Sequence, residues 1–417
     1  MNNLFEKKII VGVTGSIAAY KSVLLVRELT KLGAEVKVIM TPSATNFITP
    51  LTFATISKHQ VAISMYPVSG QEPSSGSWHI DLALWADIMI IAPATASTIS
   101  KLATGNTDNA LTIVASALRA KIFVAPAMDS DMYEYPAFKT NIDLLKNYGM
   151  IVLPSPKGEL ASGIFGEGRM CEPLDIVKYL NDYFIYKSSL KGYKILVTAG
   201  PTYEPIDTVR YIGNYSSGKM GYEITQEALN RGAEVRLVTG PTSLKAPNGS
   251  EVLFVTTAME MYEAVITTTE KYDVIICSAA VSDYKPKNFI NKKIKRRDYE
   301  TSNFNLELVE TQDILKYIGG DKKNNQLLVG FALETENMIE NAKKKLIEKN
   351  CDLIVANPAK TEGAGFDVDT NIITLITEDK VIELPIMSKK DCAMEILNEI
   401  EFLLKKSNKI NRESIEV

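Results

Sequence analysis

The sequence predicts an α/β protein built from two nucleotide-type domains, and three observations carry that prediction. First, the chain opens on a β-α-β unit, KKIIVGVTGSIAAYKSVLLVRELTKLGAEVKVIMTP: a buried strand, a Gly/Ser turn, a helix from about Ala19 to Leu32, and a second strand from Glu35 to Met40. Second, the pattern restarts in the other half. KLGAEVKVIMTP from Lys31 is echoed by NRGAEVRLVTGP from Asn230, each ending a helix and starting a strand after a glycine turn. Third, apolar strands run repeatedly into turns of small, hydroxyl and amide residues, which open parallel sheets present to ligands along one edge. A polar Lys-Ser-Ser turn places the boundary near Ser188, giving domains 1–188 and 189–417.

Bulk composition narrows the function classes. With 417 residues, 46% hydrophobic and 23% charged, the chain is ordinary globular protein and too long for one core. A formal net charge of −4 offers no basic field for nucleic acid. No apolar run reaches the roughly 20 residues of a membrane helix, and the amino terminus leads into a strand rather than a signal peptide, so a cytoplasmic protein with no membrane partner is expected. Cys171, Cys277, Cys351 and Cys392 lie far apart, which argues against a zinc site or a disulfide framework.

In the first half, TGSIA (Thr14 to Ala18) places backbone N–H groups and a hydroxyl at a helix start, where an anion is stabilised. It lacks G-x-G-x-x-G and the Gly-Lys-Ser/Thr of a nucleotide P-loop. Lys21, one turn on, reaches either that anion or solvent. Thr41 to Phe47 follows the second strand, the turn Ala94 to Thr98 follows a third strand at Ile88 to Ala92, and PAMDSDMYEYP follows a fourth at Ile122 to Ala125. Four strand ends thus converge on one crevice. His79, in SWHIDLALWAD, reads by itself as a partly buried histidine at a helix start. Gly158 to Pro173 carries four glycines and reads as a mobile flap rather than a strand.

GSIAAYK, HIDL, PAT, PAM-x-x-x-M and ASG-x-x-G-x-GRM-x-EP, in this order and spacing over residues 5 to 185, resemble the flavin-dependent cysteine decarboxylases, phosphopantothenoylcysteine decarboxylase among them. The resemblance implies a flavodoxin-like (HFCD) three-layer α/β/α domain that binds FMN between the subunits of a trimer. It implies FMN contacts at Gly15, Ser16, Ile17, Thr41, Ser97 and Thr98, His79 as active-site base, and substrate contacts at Asp129 and Met132. Four positions depart from the family pattern. Asp129 stands for an asparagine expected to meet the substrate carboxylate, Tyr133 for a tryptophan, Ser162 for the flap cysteine that returns a proton, and Ser97 for an asparagine often among the FMN contacts. A hydroxyl is a far weaker acid than a thiol of pKa about 8.5. Cys171, in the same flap, is a candidate stand-in, so an impaired or altered decarboxylase beside an active ligase is the alternative expectation.

The second half begins with the strand KILV (Lys194 to Val197). The long turn TAGPTYEPIDTVRYIGNYSSGKMG follows, from Thr198 to Gly221, and then a helix over Tyr222 to Leu229. The turn is rich in hydroxyls and backbone donors and reads as a phosphate-handling loop. Strands at Val274 to Ser278, Gln326 to Phe331 and Leu353 to Asn357 run into AAVSDY, GFALET and NPAKTEGAGF. Lys293, Lys295, Arg296 and Arg297 form a cationic run, and Lys345 and Lys349 stand at helical i, i+4 spacing, facing one ligand or solvent.

TAGPT-x-EP-x-D-x-VRYI-x-N-x-SSGKMG, AAVSDY, KKIK, GFALET and DLIVANP resemble the phosphopantothenate-cysteine ligase domain over residues 190 to 400. Its fusion behind the flavin domain resembles the bacterial bifunctional enzymes of coenzyme A biosynthesis. This implies a Rossmann-like α/β ligase domain that uses CTP and Mg²⁺, the metal carried on the CTP phosphates, to form an acyl-cytidylate that cysteine captures. The residues so implied are Asn214 for the acyl-cytidylate, with Ser216, Ser217 and Gly218 at the same end, and Lys293 for the second half-reaction. Ala279, Ala280, Asp283, Phe331, Lys345, Lys349 and the turn Gln312, Asp313, Ile314 and Leu315 are implied for the nucleotide, Gln312 standing for a proline. Homo-oligomers of decarboxylase trimers and ligase dimers, up to a dodecamer, are implied as well. A nicotinamide-dependent oxidoreductase lacks its G-x-G-x-x-G here, and an electron carrier leaves the second half unexplained.

Overall fold

The computed structural model describes residues 2–65, 77–295, 304–358 and 368–413, with side chains of the last helix as far as 407. Arg296 and Arg297 lie outside the described residues, as does most of the turn after Pro358. The chain divides into two compact units, Met1–Ile185 and Tyr186–Val417.

In the first unit, β1 (Lys8–Val13), α1 (Ala19–Lys31) and β2 (Glu35–Met40) form the opening β-α-β unit, followed by α2 (Pro50–Ser57) and α3 (Trp78–Trp85). Then come β3 (Ile88–Ala94), α4 (Ala96–Thr104), α5 (Ala110–Ala117), β4 (Lys121–Pro126), the short α6 (Ser130–Glu134), α7 (Pro136–Asn147) and β5 (Ile151–Val152). The five strands pair in parallel in the order β2-β1-β3-β4-β5, which is the flavodoxin order. Because both faces are covered, the strands are apolar almost without interruption. Ile9, Val11 and Val13 pack with α1, α2 and α8 (Pro173–Lys187) on one face, while Ile10, Met89 and Ile91 pack with α3, α4, α5 and α7 on the other. Each such buried side chain contributes about 1.5–3 kcal/mol, so the strand ends form the rigid part of the site.

One expectation is corrected here. The flap contains the antiparallel pair β6 (Lys157–Glu159) and β7 (Phe165–Glu167), Gly158 opposite Gly166. Glycine density suggested irregular chain, but glycine also permits close approach. A Cβ on Gly158 would fall 2.6 Å from the Arg169 guanidinium, and one on Gly166 would fall 2.3 Å from the Ser130 hydroxyl.

The second unit starts with β8 (Lys194–Ala199). The turn from Thr198 to Gly221 has structure of its own, the hairpin β9 (Tyr203–Pro205) and β10 (Tyr211–Gly213), with Tyr203 and Tyr211 stacked 3.9 Å apart. After α9 (Lys219–Asn230), β11 (Glu234–Thr239), β12 (Glu251–Phe254) and α10 (Ala258–Ile266), the chain crosses to β13 (Val274–Cys277). A small ladder joins β14 (Tyr284–Pro286) to β15 (Leu308–Glu310) before α11 (Ile314–Asp321), β16 (Leu327–Glu334), α12 (Met338–Glu348) and β17 (Leu353–Pro358). The short strands β18 (Thr370–Asn371), β19 (Thr374–Ile376), β20 (Val381–Glu383) and β21 (Met387–Ser388) precede α13 (Lys389–Glu413).

The eight-stranded sheet runs β12-β11-β8-β13-β16-β17-β19-β20, parallel through β17 and antiparallel beyond it. Its parallel part has the Rossmann order 3-2-1-4-5-6. Strand order reverses between β1 and β3 in the first unit and between β8 and β13 in the second, so the crevices that bind ligands in open α/β sheets fall at those two places. Fully buried Arg231, at the end of α9, pairs with Glu227 of its own helix (2.7 Å) and holds α13 through Glu401 (2.8 Å) and the Met394 carbonyl (3.0 Å).

Candidate functional site

At the first reversal, Thr14 ties the two strand ends together. Its Oγ1 donates to the Pro93 carbonyl (2.7 Å) and accepts from the Thr95 N–H (3.1 Å). Thr95 then caps α4, its hydroxyl accepting from the Thr98 N–H (3.4 Å) and donating to the Thr98 hydroxyl (3.3 Å). Gly15 runs so close to the turn after β2 that a Cβ would sit 2.6 Å from Ser43 Cβ. In that turn Thr41 is buried, and its Oγ1 has no hydrogen-bond partner among the described residues. A buried hydroxyl without a partner costs about 1–3 kcal/mol, which fits a ligand group that supplies the missing bond. Ser16 and Ile17 open onto this edge, and Ser97 is exposed on the first turn of α4. Thr14 and Thr95 were not singled out from the sequence; the available signal was a hydroxyl directly after each strand.

A cavity of about 580 Å³ lies between the start of α1, the turn after β4 and the flap. Ser16, Ile17, Lys21, Asp129, Leu160 and Arg169 line it. Asp129 caps α6, accepting from the Asp131 N–H at 3.4 Å, and also accepts a hydrogen bond from the Ser162 hydroxyl in the flap. Of the two outcomes expected for Lys21, solvent is excluded. It is 7% exposed and pairs with Glu172 at 2.6 Å, because the end of the flap folds back over α1.

Cys171 is not brought to the cavity: it packs in the core at 2% exposure, where burial pushes its thiol up to about 11. Met132 is exposed and does not line the cavity. His79 is on the first turn of α3, edge-on to the Trp78 ring, and is not among the cavity residues either.

Two clefts open at the second reversal. The larger, about 520 Å³, is lined by the turn Gln312–Leu315 together with Lys345, Lys349 and Tyr284. The smaller, about 320 Å³, is lined by Asn214, Ser216, Ser217, Gly218, Ala280 and Asn357. Ala279, Asp283, Phe331 and Lys345 line both, so the two are continuous. Asn214 is held in place by its amide nitrogen, which donates to the Ala280 carbonyl at 2.9 Å. Gly218 takes φ +78, and a Cβ there would lie 3.2 Å from Gly200 backbone, so a side chain is excluded on both counts. Lys345 donates to the Phe331 carbonyl (2.8 Å), and Lys349 pairs with Asp313 (2.5 Å). Burial pushes the Asp313 carboxyl up, but Lys349, the Lys316 N–H and Lys345 outweigh it and hold the group below its ordinary range. Cys277 also lines the larger cleft, its thiol pushed up by burial to about 12.

Lys293 is exposed and lines neither cleft. Its segment is nevertheless pinned. Asp207 accepts from the Ile294 N–H (3.1 Å), Arg210 donates to the Ile294 carbonyl (2.5 Å), and Ile290 donates to the Ile206 carbonyl (3.1 Å). Residues not anticipated from the sequence include Asn371 and Lys389, both in the smaller cleft. Asn371 ends the two-residue β18 and Lys389 directly follows the two-residue β21, strands too short to leave a pattern in the sequence, so only spatial proximity finds them.

Comparison with known proteins covers both units. Residues 2–184 match the family described as flavoprotein, and residues 190–403 the one described as DNA/pantothenate metabolism flavoprotein C-terminal domain. The chain is 45% identical over 408 residues, 97% of its length and 99% of the relative's, to a coenzyme A biosynthesis bifunctional protein CoaBC of Bacillus subtilis (strain 168). It is 44% identical over 362 residues, 85% of its length and 98% of the relative's, to a cysteine/cysteine sulfinic acid decarboxylase of an unknown prokaryotic organism. A crystal structure of the C-terminal domain of a coenzyme A biosynthesis bifunctional protein CoaBC is 47% identical, covering 52% of this chain and 99% of that chain, with a TM-score of 0.45.

Proposed function

Because the chain belongs to the family of bifunctional coenzyme A biosynthesis proteins, carrying a decarboxylase and a ligase activity on one polypeptide, we propose a specific division of work. The second unit joins cysteine to 4′-phosphopantothenate at the expense of CTP, and the first decarboxylates the product to 4′-phosphopantetheine. The observation that carries this reading is the continuity of the two clefts through Asp283, Phe331 and Lys345, which suits a nucleotide whose α-phosphorus must meet a second substrate.

In the ligase half, the pair Lys349–Asp313 and the turn Gln312–Leu315 frame the nucleotide, while Lys345 sits where the clefts meet and offsets phosphate charge. Asn214, fixed by Ala280, holds the acyl-cytidylate, and Ser216, Ser217 and Gly218 present donors at the start of α9. Mg²⁺ arrives on the nucleotide's phosphates. Lys293 acts in the second half-reaction, on the segment held by Asp207.

In the decarboxylase half, Gly15, Ser16, Thr41, Ser97 and Thr98 would hold FMN, the unpaired Thr41 hydroxyl being the structural fit. FMN supplies the temporary acceptance of electrons that makes loss of CO₂ easy. His79 serves as the base, and the flap closes over substrate with Ser162 on Asp129. The two departures at these positions keep a bonded pair, and do not by themselves argue for an impaired decarboxylase. We place the enzyme in the cytoplasm as a homo-oligomer of decarboxylase trimers and ligase dimers.

The test is a time course with phosphopantothenate, cysteine, CTP and Mg²⁺. Pyrophosphate and phosphopantothenoylcysteine should appear first, then CO₂ and phosphopantetheine, from a yellow protein. A colourless preparation without CTP-dependent pyrophosphate release would overturn the proposal.

A further inference from the structure

We infer that Arg169, in the flap, holds the phosphate ester of the decarboxylase substrate and so selects phosphorylated over unphosphorylated substrate. This rests on the decarboxylase reading above. Among the described residues, the charged side chains that line the cavity between α1 and the flap are Lys21, Asp129, Glu159 and Arg169. Lys21 is already paired with Glu172 at 2.6 Å. Asp129 and Glu159 are acids, which leaves Arg169 as the cation open to a ligand. Its Nη2 reaches Glu172 Oε1 at only 3.5 Å, the same oxygen that Lys21 holds more closely, and its side chain is 42% exposed. The other donors of the guanidinium have no acceptor among the described residues.

The backbone beneath this side chain is fixed. The Gly168 carbonyl accepts from the Met128 N–H (2.9 Å), and Met170, on the other side, is packed in the core. The guanidinium itself lies over Gly158, where a Cβ would collide with it. A planar fork with free donors, carried on an anchored chain at a cavity wall, suits an anion held by paired hydrogen bonds. Decarboxylation decides which anion. The substrate 4′-phosphopantothenoylcysteine carries a carboxylate that departs as CO₂ and a phosphate that survives. A cation fixed on the departing carboxylate would stabilise the ground state more than the transition state and slow the reaction. The same contact to the phosphate is equal in both states and contributes binding alone. FMN also carries a phosphate ester, so the test separates the two sources.

In the full-length protein, kcat/KM for CO₂ release from phosphopantothenoylcysteine is compared with that from pantothenoylcysteine. Wild type should prefer the phosphorylated substrate at least about tenfold, the order expected for hydrogen bonds between charged groups. Arg169→Gln should abolish that preference while staying within about twofold of wild type on pantothenoylcysteine, and its flavin absorbance after dialysis should be unchanged. A wild type without the preference, a variant that keeps it or loses both substrates alike, or a variant that loses flavin overturns the anchor. Should Arg169→Gln fail to fold, Arg169→Lys carries the same comparison with the preference reduced about threefold, because one ammonium replaces the fork. If wild type releases no CO₂ from either substrate, the decarboxylase reading falls and chemical labelling decides the anchor. Modification of Arg169 by phenylglyoxal, read by peptide mass spectrometry, should be slowed at least about fivefold by saturating 4′-phosphopantetheine and not by pantetheine. Equal labelling under both would sink it.

Discussion

The Ser162 hydroxyl in the flap donates a hydrogen bond to Oδ2 of Asp129, the residue that caps α6 beneath it. Two positions that each depart from the decarboxylase pattern are therefore partners. The bond latches the flap to the turn that borders the cavity.

Breaking this latch separates closure from charge. Ser162→Ala should lower the decarboxylation turnover about tenfold, the order expected for a hydrogen bond to a charged group. Asp129→Asn keeps both a cap and an acceptor, so its thermal stability should stay within about 0.5 kcal/mol of wild type. Released CO₂ from supplied phosphopantothenoylcysteine is the readout. Wild-type turnover in Ser162→Ala would remove the latch from the mechanism.

Cys171→Ala addresses the flap's remaining thiol. Since Cys171 is packed in the core, the product and its rate should stay within about twofold of wild type, while stability drops by about 1 kcal/mol as for a typical core substitution. Mass spectrometry that found the enethiol, two hydrogens lighter than phosphopantetheine, would show instead that this thiol returns a proton.

Thr41→Val removes a buried hydroxyl that has no partner among the described residues. The apoprotein should be as stable as wild type or more so, by up to about 1 kcal/mol, yet FMN should be retained less well. Thermal melts of apoprotein and flavin absorbance after dialysis together check this, and undiminished retention would move the cofactor away from Thr41.

Asp207 gives a pH test. Burial pushes its carboxyl up, but the N–H groups of Ile294, Val209 and Arg210 and the Arg210 guanidinium hold it down at about 2. A carboxylate lowered on folding stabilises the protein above its unfolded value of about 3.9 and loses that contribution as pH falls through the folded one. Asp207→Asn should therefore melt below wild type by a constant interval from pH 7 to 5, an interval that shrinks below pH 4 and closes near 2. Because the same contacts pin the segment of Lys293, this variant should also accumulate acyl-cytidylate at neutral pH. A melting interval independent of pH would show that charge is not what holds the clamp.

Much of the site was readable because its causes are local. Gly218 precedes a helix at a left-handed turn, and Ser216 and Asn214 lie within the same short turn, so composition and spacing alone marked them. The flap hairpin was missed because four glycines leave no side-chain alternation to read, although its backbone pairs regularly. Lys345 and Lys349 were a pair at helical spacing with two outcomes, and only packing turned them toward Phe331 and Asp313.

By itself the sequence determined two α/β units, the strands that form them and the turns at their ends, because strand burial and turn chemistry are set by neighbours within a few residues. Tertiary structure alone decided the pairings across the chain: Lys21 with Glu172, 151 positions apart, Lys219 with Asp369, 150 apart, and the meeting of Lys389 and Asn371 with the start of α9. Those depend on strand order, and strand order is fixed by how whole layers pack, which no local pattern encodes.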